Sequence, residues 1–237
     1  MNILCVIPAR GGSKGLRRKN ILPFFGKPLI YYTIKAAQES RLVNKIVVST
    51  DDHEIGNVAG RYGVQIIKRP KNYATDSAPI ELALRHAVLE MCKKSGFAAD
   101  IVVWLQANIP IRKKGQVDQV VNKLINSKAD TVATVYSVSQ LPQWMKKMDK
   151  NGFLTPLFIN ASKYRRQDVE PFFLLDGAIV AMRTKILMGT KGKKGVHVFM
   201  GKKIAGVVQD RKYSQEVDDK ESLDLARLYF SEVKDRL

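Results

Sequence analysis

Only two cysteines, Cys5 and Cys92, occur in 237 residues, too few for a disulfide framework or a cysteine-rich zinc knuckle. Cys5 stands in an apolar run and Cys92 in a helical pattern, which suits reduced, structural thiols. The three histidines, His53, His86 and His197, lie in unrelated segments without metal-ligand spacing, so neither a histidine metal centre nor a histidine-activated nucleophile is legible. No apolar run approaches the ~20 residues needed to cross a bilayer, and the apolar start lacks a basic leader and cleavage site. A cytoplasmic address and no membrane partner are expected. Acidic residues are also scarce: 22 Asp and Glu stand against 40 Lys and Arg, a formal net charge of +18. Such a surplus implies an anionic partner, whether nucleic acid, membrane surface or polyphosphate. The cations fall in scattered pairs such as Lys93-Lys94, Lys146-Lys147 and Lys202-Lys203, not in one tract interleaved with aromatics. They read as solvated surface, and no nucleic acid is expected, although a basic binding or regulatory protein stays open as a reading of another class.

What is present begins with hydrophobicity: 45% of the chain is apolar or aromatic, enough to bury the core of one domain over 1–237. The stretch Ile3 to Asn20 organises the rest. Ile3, Leu4, Cys5, Val6 and Ile7 make a buried-strand pattern cut by Pro8, and Gly11, Gly12 and Gly15 follow among Arg10, Lys14, Arg17, Arg18 and Lys19. Glycines let backbone N–H groups approach an anion closely, and the cations supply charge, so this has the anatomy of a phosphate loop. It is not the Walker pattern, because Leu16 and Arg17 stand where Gly and Lys would be needed, and G-x-G-x-x-G is absent. A plain basic surface turn fits the composition equally well.

Further along, helical spacing from Pro28 to Ala37 is followed by a strand from Lys45 to Thr50 ending in Asp51-Asp52. A short helix over 54–62 stops at Gly63, and a strand over 64–67 leaves Lys68-Arg69-Pro70 at its exit. Asp76 or Ser77 is placed to cap a helix starting near Pro79 and ending at Gly96. A strand over 101–105 ends at Gln106, a helix runs through 117–125, and a strand spans 131–136. This alternation predicts an α/β fold with a mostly parallel open sheet and helices on both faces. Ligands in such sheets bind beyond the carboxyl ends of the strands, which would gather Arg10, Asp51-Asp52, Arg69 and Gln106 at one crevice. Polar strand ends also arise simply because chains turn at the surface.

From Ser137 to about Pro171 the rhythm breaks. Trp144, Met145, Met148, Phe153, Leu154, Leu157 and Phe158 lack clean periodicity; such an excursion covers the crevice or makes a subunit contact, and a dimer contact is favoured. A strand over 178–181 returns to the sheet, and Lys191 to Lys203 reads as an exposed hairpin or loop. Before the last helix, Glu216 and Asp218 alternate around Val217 and so face one way on an extended segment. Two carboxylates facing a phosphate loop suit Mg²⁺. The competing reading is that the acidic residues here serve the helix, with Asp219 as its N-cap.

Taken together, Ile7-Pro8-Ala9-Arg10-Gly11-Gly12-Ser13-Lys14-Gly15, Arg18-Lys19-Asn20, Val48-Ser49-Thr50-Asp51, Arg69-Pro70, Ala74-Thr75-Asp76-Ser77, Leu105-Gln106, Arg166-Gln167-Asp168, Asp176-Gly177-Ala178-Ile179 and Glu216-Val217-Asp218 resemble the motifs of the CMP-sialic acid synthetase (acylneuraminate cytidylyltransferase) family, including relatives acting on pseudaminic and legionaminic acids. The resemblance covers essentially the whole chain. It implies a Rossmann-like nucleotide-binding domain, a small dimerisation or lid excursion over 137–171, a homodimer, and transfer of CMP from CTP to an acidic nine-carbon sugar with release of pyrophosphate. By that likeness Ala9, Arg10, Gly11, Gly12, Ser13, Lys14, Lys19 and Asn20 hold the nucleotide, with Arg69 and Ser77 beside it. Gln106, Arg166 and Gln167 serve the sugar, and Glu216 and Asp218 hold Mg²⁺. Arg10 and Lys19 are the expected transition-state stabilisers, because attack on an α-phosphorus needs positioning and charge neutralisation more than a protein nucleophile. The same scaffold could serve another nucleotide or a sugar phosphate.

Three positions depart from the family pattern. Ala107-Asn108-Ile109 replaces Pro-Thr-Ser, a loss of hydroxyls expected to bear on the acceptor sugar. Glu216 replaces the first Asp of Asp-x-Asp, and the stretch after Asp76 that leads into the helix is altered.

Overall fold

The computed structural model describes residues 1–157, 170–193 and 195–236. In chain order, β1 (Ile3–Pro8) leads through a two-stranded ribbon, β2 (Pro23–Phe24) and β3 (Lys27–Pro28), to α1 (Leu29–Gln38). Then come β4 (Lys45–Thr50), α2 (His53–Gly60), β5 (Gln65–Lys68), α3 (Ile80–Ser95), β6 (Ile101–Trp104), α4 (Gln116–Ile125) and β7 (Thr131–Ser137). A second ribbon, β8 (Lys146–Met148) and β9 (Leu154–Pro156), precedes β10 (Phe173–Arg183), α5 (Thr184–Gly189), β11 (Ile204–Val208) and α6 (Lys220–Val233).

Seven strands form one sheet in the order β11-β7-β10-β6-β1-β4-β5. All run parallel except β10, which is antiparallel to both β6 and β7. Because side chains alternate across a strand, β1 feeds two cores. Ile3, Cys5 and Ile7 pack with Ile30 and Ile34 of α1, Ile55 of α2 and Val120 of α4. Leu4 and Val6 pack on the other face with Leu84, Ala87 and Met91 of α3 and Leu187 of α5. Both faces are therefore covered, which is why the central strands are apolar throughout. The mostly parallel sheet between helices matches the expected class.

A third cluster fixes the end of the chain. Leu223, Ala226 and Phe230 of α6 pack with Phe24, Leu29 and Val217. Val217 is 0% exposed, and burying it is worth about 1.5–3 kcal/mol. Its N–H also donates to the Asn108 carbonyl at 2.9 Å. This anchor turns the residues on either side of it, Glu216 and Asp218, away from the core and toward the strand ends.

Several expectations need correction. Neither Asp76 nor Ser77 caps α3: Pro79 occupies the cap position without a side-chain bond among the described residues, because the Asp76 carboxylate is engaged by Arg10 and Lys14. The segment 191–203 is not simply an exposed loop, since Phe199 and Met200 are buried in the core on the α3 side, Phe199 beside Trp104. The edge strand β11 had no clear periodicity, and its Gly206 interrupts the apolar run. The excursion contains the exposed β8–β9 ribbon, with Met148 71% and Phe153 69% exposed; Phe158 lies outside the described residues.

Candidate active site

The chain leaves β1 into a loop tied down at both ends. Ala9 N–H donates to the Ser49 carbonyl at 2.9 Å, and Gly11 N–H to Asp51 Oδ1 at 3.1 Å. At the far end, buried Asn20 donates through Nδ2 to the Arg10 carbonyl at 3.0 Å. Between these ties stand the cations. Arg10 donates to the Thr75 carbonyl at 2.9 Å and pairs with Asp76 at 2.9 Å, where Lys14 joins it at 2.8 Å. These two cations hold the Asp76 carboxyl below the ordinary carboxylate range, Lys14 through its hydrogen bond most of all. Arg18 pairs with Glu54, and Lys19 pairs with Asp218.

The Lys19–Asp218 contact joins positions 199 residues apart. Backbone packing reinforces it: a Cβ built on Gly15 would lie 2.2 Å from the Asp218 carbonyl oxygen, so only glycine lets the loop pass this close. Asn108 Nδ2 donates to Glu216 Oε1 at 3.0 Å and to Asp218 Oδ1 at 3.2 Å, so both carboxylates turn toward one point. Burial pushes the Glu216 carboxyl above its ordinary value, and the Asn108 bond partly opposes this. Capping falls to the next residue. Asp219 Oδ1 accepts the Ser222 N–H at 2.8 Å within a capping box, leaving Glu216 and Asp218 free of that duty. The expected cap at Asp219 is thus observed. Two carboxylates with a cation already resting on one suit a divalent ion shared with substrate phosphates. A wholly protein-held ion is not supported, because no group of three or more His, Cys, Asp or Glu converges among the described residues.

Arg69 is 5% exposed and donates from Nε to Ser49 Oγ at 3.2 Å and from Nη2 to the Ser49 carbonyl. Burial lowers its pKa to about 10, so it remains a cation at neutral pH. Ser77 is exposed, its Oγ 3.5 Å from Thr75 Oγ1. Gln106 lies in a cavity of about 150 Å³ lined also by Trp104, Asp176, His197 and Glu216. Its Oε1 is buried without a hydrogen-bond partner among the described residues. Gly177, at φ 67°, lets the chain pass against it, since a Cβ there would meet Gln106 at 2.8 Å. Asp176 itself is fully engaged, accepting from Thr134, the Ala178 N–H, Gln209 and Ser214. Arg166 and Gln167 lie outside the described residues. A larger hollow of about 440 Å³ beside α2 includes Asp51, Lys68 and Lys71 but none of Arg10, Lys19 or Asp218.

The altered stretch does not border the Gln106 cavity. Ala107 and Ile109 are buried in the core, and Asn108 reaches that cavity through Glu216, to which it is bonded. Sequence reasoning also missed Arg112. It is fully buried and donates to the Gln106 carbonyl at 2.8 Å, the Ala178 carbonyl at 3.0 Å and Thr33 Oγ1 at 2.9 Å, which fixes the end of β6 behind the cavity. Its only sequence signal was its place just after the altered 107–109 stretch.

The sequence profile described as Cytidylyltransferase matches residues 4–176, which contain both the loop and Gln106. The chain belongs to the cytidylyltransferase family. An N-acylneuraminate cytidylyltransferase of Escherichia coli O18:K1:H7 is 31% identical over 94% of this chain and 51% of its own length. This cytidylyltransferase-family chain thus spans about half of that relative. A CMP-N,N'-diacetyllegionaminic acid synthase of Legionella pneumophila is 34% identical over 81% of this chain and 82% of its own. Among solved structures, a CMP:2-keto-3-deoxy-manno-octonic acid synthetase complexed with CTP superposes with a TM-score of 0.72 at 20% identity, covering 98% of this chain and 99% of that one; it shares the fold. No helix among the described residues is long and apolar enough to cross a membrane.

Proposed function

We propose that the chain transfers CMP from CTP to the anomeric hydroxyl of a nonulosonic, sialic-type acid and releases pyrophosphate. The observation that carries this is the Lys19–Asp218 pair, which brings a phosphate-type loop into contact with an acidic pair in a chain of this family. The N-acylneuraminate and diacetyllegionaminic relatives supply the sugar class, and the fold neighbour complexed with CTP supports the nucleotide.

In this reading Gly11, Gly12, Ser13 and Lys14 follow Ala9 around the triphosphate, and Asn20 keeps the loop closed behind it. Arg10 and Lys14 exchange Asp76 for phosphate, and Lys19 exchanges Asp218. Ion pairs open to water in this way contribute little net stability, so a polyanion displaces them readily. Arg69 and Ser77 flank the nucleoside. The unpartnered Gln106 Oε1 accepts a hydrogen bond from the acceptor sugar, and Arg166 with Gln167 serves the same side by family likeness. The sugar hydroxyl oxygen bonds to the α-phosphorus as the α–β bridging bond breaks, and Arg10 and Lys19 neutralise the charge that develops. Glu216 and Asp218 would hold Mg²⁺, which would supply charge to polarise the α-phosphate and lower the pKa of the attacking hydroxyl. No covalent enzyme intermediate is needed, and burial pushes the Cys5 thiol up to about 12, out of nucleophilic range.

We assign 1–237 to a single nucleotidyltransferase domain working as a cytoplasmic homodimer. The contact is placed on the 137–171 excursion, where Trp144, Met148, Phe153 and Leu154 are exposed as an apolar surface of interface type. The catalytic reading is tested by incubating the protein with CTP, Mg²⁺ and a panel of nonulosonic acids. Pyrophosphate release with at least one acid is expected; folded protein inactive across the panel contradicts the reading.

A further inference from the structure

We propose that Asn108 is a positioning residue that sets the acidic pair, holding the Glu216 and Asp218 carboxylates at one point for a divalent cation. The inference rests on the reading of that pair as the metal site. The amide Nδ2 lies 3.0 Å from Glu216 Oε1, 3.2 Å from Asp218 Oδ1 and 3.1 Å from the Val217 carbonyl. The backbone joins in, since the Asn108 carbonyl accepts the Val217 N–H at 2.9 Å. Two amide hydrogens thus serve three acceptors, and at least one is shared. The orientation is forced, because ionised carboxylates only accept, and an amide oxygen turned toward them would set like partial charges together.

Asn108 is itself held rigidly. It is 6% exposed, and its neighbours Ala107 and Ile109 are buried. Arg112 grips the carbonyls of Gln106 and Ile109 on either side. A short amide on a fixed backbone is a precise tether, and each of its bonds to an ionised oxygen is of the stronger, charge-assisted kind. The length of Glu216 matches this tether. An aspartate at 216 would withdraw the carboxylate by about 1.5 Å, one carbon–carbon bond, and stretch the 3.0 Å contact beyond hydrogen-bond range. The two departures from the family pattern at 108 and 216 therefore touch each other, and they act as one unit.

The test is Mn²⁺ titration of the full chain by electron paramagnetic resonance with saturating CTP, read against a CTP-only blank, beside CTP binding measured in EDTA. Asn108→Ala is expected to weaken Mn²⁺ binding about 10- to 100-fold, the usual effect of losing a group that orients metal ligands, while metal-free CTP affinity stays within about twofold. Glu216→Asp should weaken Mn²⁺ binding as well. In a Glu216→Gln background the factor lost through Asn108→Ala should shrink by about threefold or more, the mark of direct coupling. Asn108→Ser keeps one donor on a shorter arm and should fall between parent and Asn108→Ala; it serves if the alanine variant does not fold. Mn²⁺ affinity within about twofold of the parent in a folded Asn108 variant overturns the proposal, as does an undiminished loss in the Glu216→Gln background. A parent chain that binds no Mn²⁺ beyond the CTP-only blank overturns the metal reading and this inference together, whereas a binding parent with indifferent variants overturns this inference alone.

Discussion

Replacing Gly15 with alanine isolates the meeting of the two ends of the chain. The added methyl carbon would stand 2.2 Å from the Asp218 carbonyl oxygen, whereas a close carbon–oxygen contact settles at about 3.3 Å. One backbone must move by about 1 Å. The acidic segment resists, because Val217 is buried and bonded to Asn108 at both its N–H and its carbonyl. The loop gives way instead, since the space around Gly12 is open and Lys14 and Arg17 are exposed. Arg10 and Lys19 then leave their places by a similar distance. A displacement of about 1 Å costs on the order of 100-fold in rate, or about 2.7 kcal/mol in the barrier. Steady-state pyrophosphate release should show kcat/KM down by that order with only a small change in melting temperature, because the strain is relieved by a surface loop. Gly60→Ala, at a site with no heavy atom within 4 Å of the new carbon, is the control and should leave kcat/KM unchanged. A Gly15→Ala enzyme within about threefold of the parent would show that the loop and the acidic segment need not touch for turnover.

Arg10→Ala should lower kcat about 10²- to 10³-fold, the range for losing one charge-stabilising donor. Calorimetry should find its stability nearly unchanged, because its partners Thr75 and Asp76 are both exposed. Asp218→Asn should raise the Mg²⁺ concentration needed for half-maximal activity, while Asp219→Ala should lower the melting temperature and leave that concentration alone; the reverse pattern would return the capping role to Asp218. Thermal shift with the four nucleoside triphosphates should favour CTP, since a ligand of the native state raises its melting temperature, and a preference for GTP or UTP contradicts the cytidine assignment. Chelation with EDTA should abolish pyrophosphate release and leave the thermal transition of the free protein in place; unfolding on chelation would mean a structural metal.

Much of this fold was legible because its signals are local. The apolar run Ile3–Ile7 and the amphipathic α1 and α4 each announce an element by periodicity, and the alternation of strand and helix fixes the sheet type. The reversed direction of β10 was not legible, since strand direction depends on the long connection before Phe173 and not on any residue inside the strand. Phe199 and Met200 were misplaced because an apolar pair among lysines looks like a loop until Trp104 is seen beside it. In the site, Glu216 and Asp218 were read from their alternation around Val217, and Arg10 and Lys19 from the likeness to the family; the structure sets Lys19 on Asp218 and Arg10 on Asp76. Asp76 was assigned to a cap because acidic residues near a helix start usually serve there; the excess of loop cations claimed it instead. Asn108 was read with the acceptor side because it follows Gln106 by two residues; the structure bonds it to Glu216, which also lines the Gln106 cavity, and to Asp218.

The most direct measurement is a crystal structure with CTP and Mn²⁺, read by the anomalous scattering of manganese. The account predicts a manganese peak in contact with the Glu216 and Asp218 carboxylates, with the triphosphate along the 10–19 loop and Lys19 transferred from Asp218 to phosphate. A nucleotide bound elsewhere, or manganese remote from both carboxylates, contradicts it.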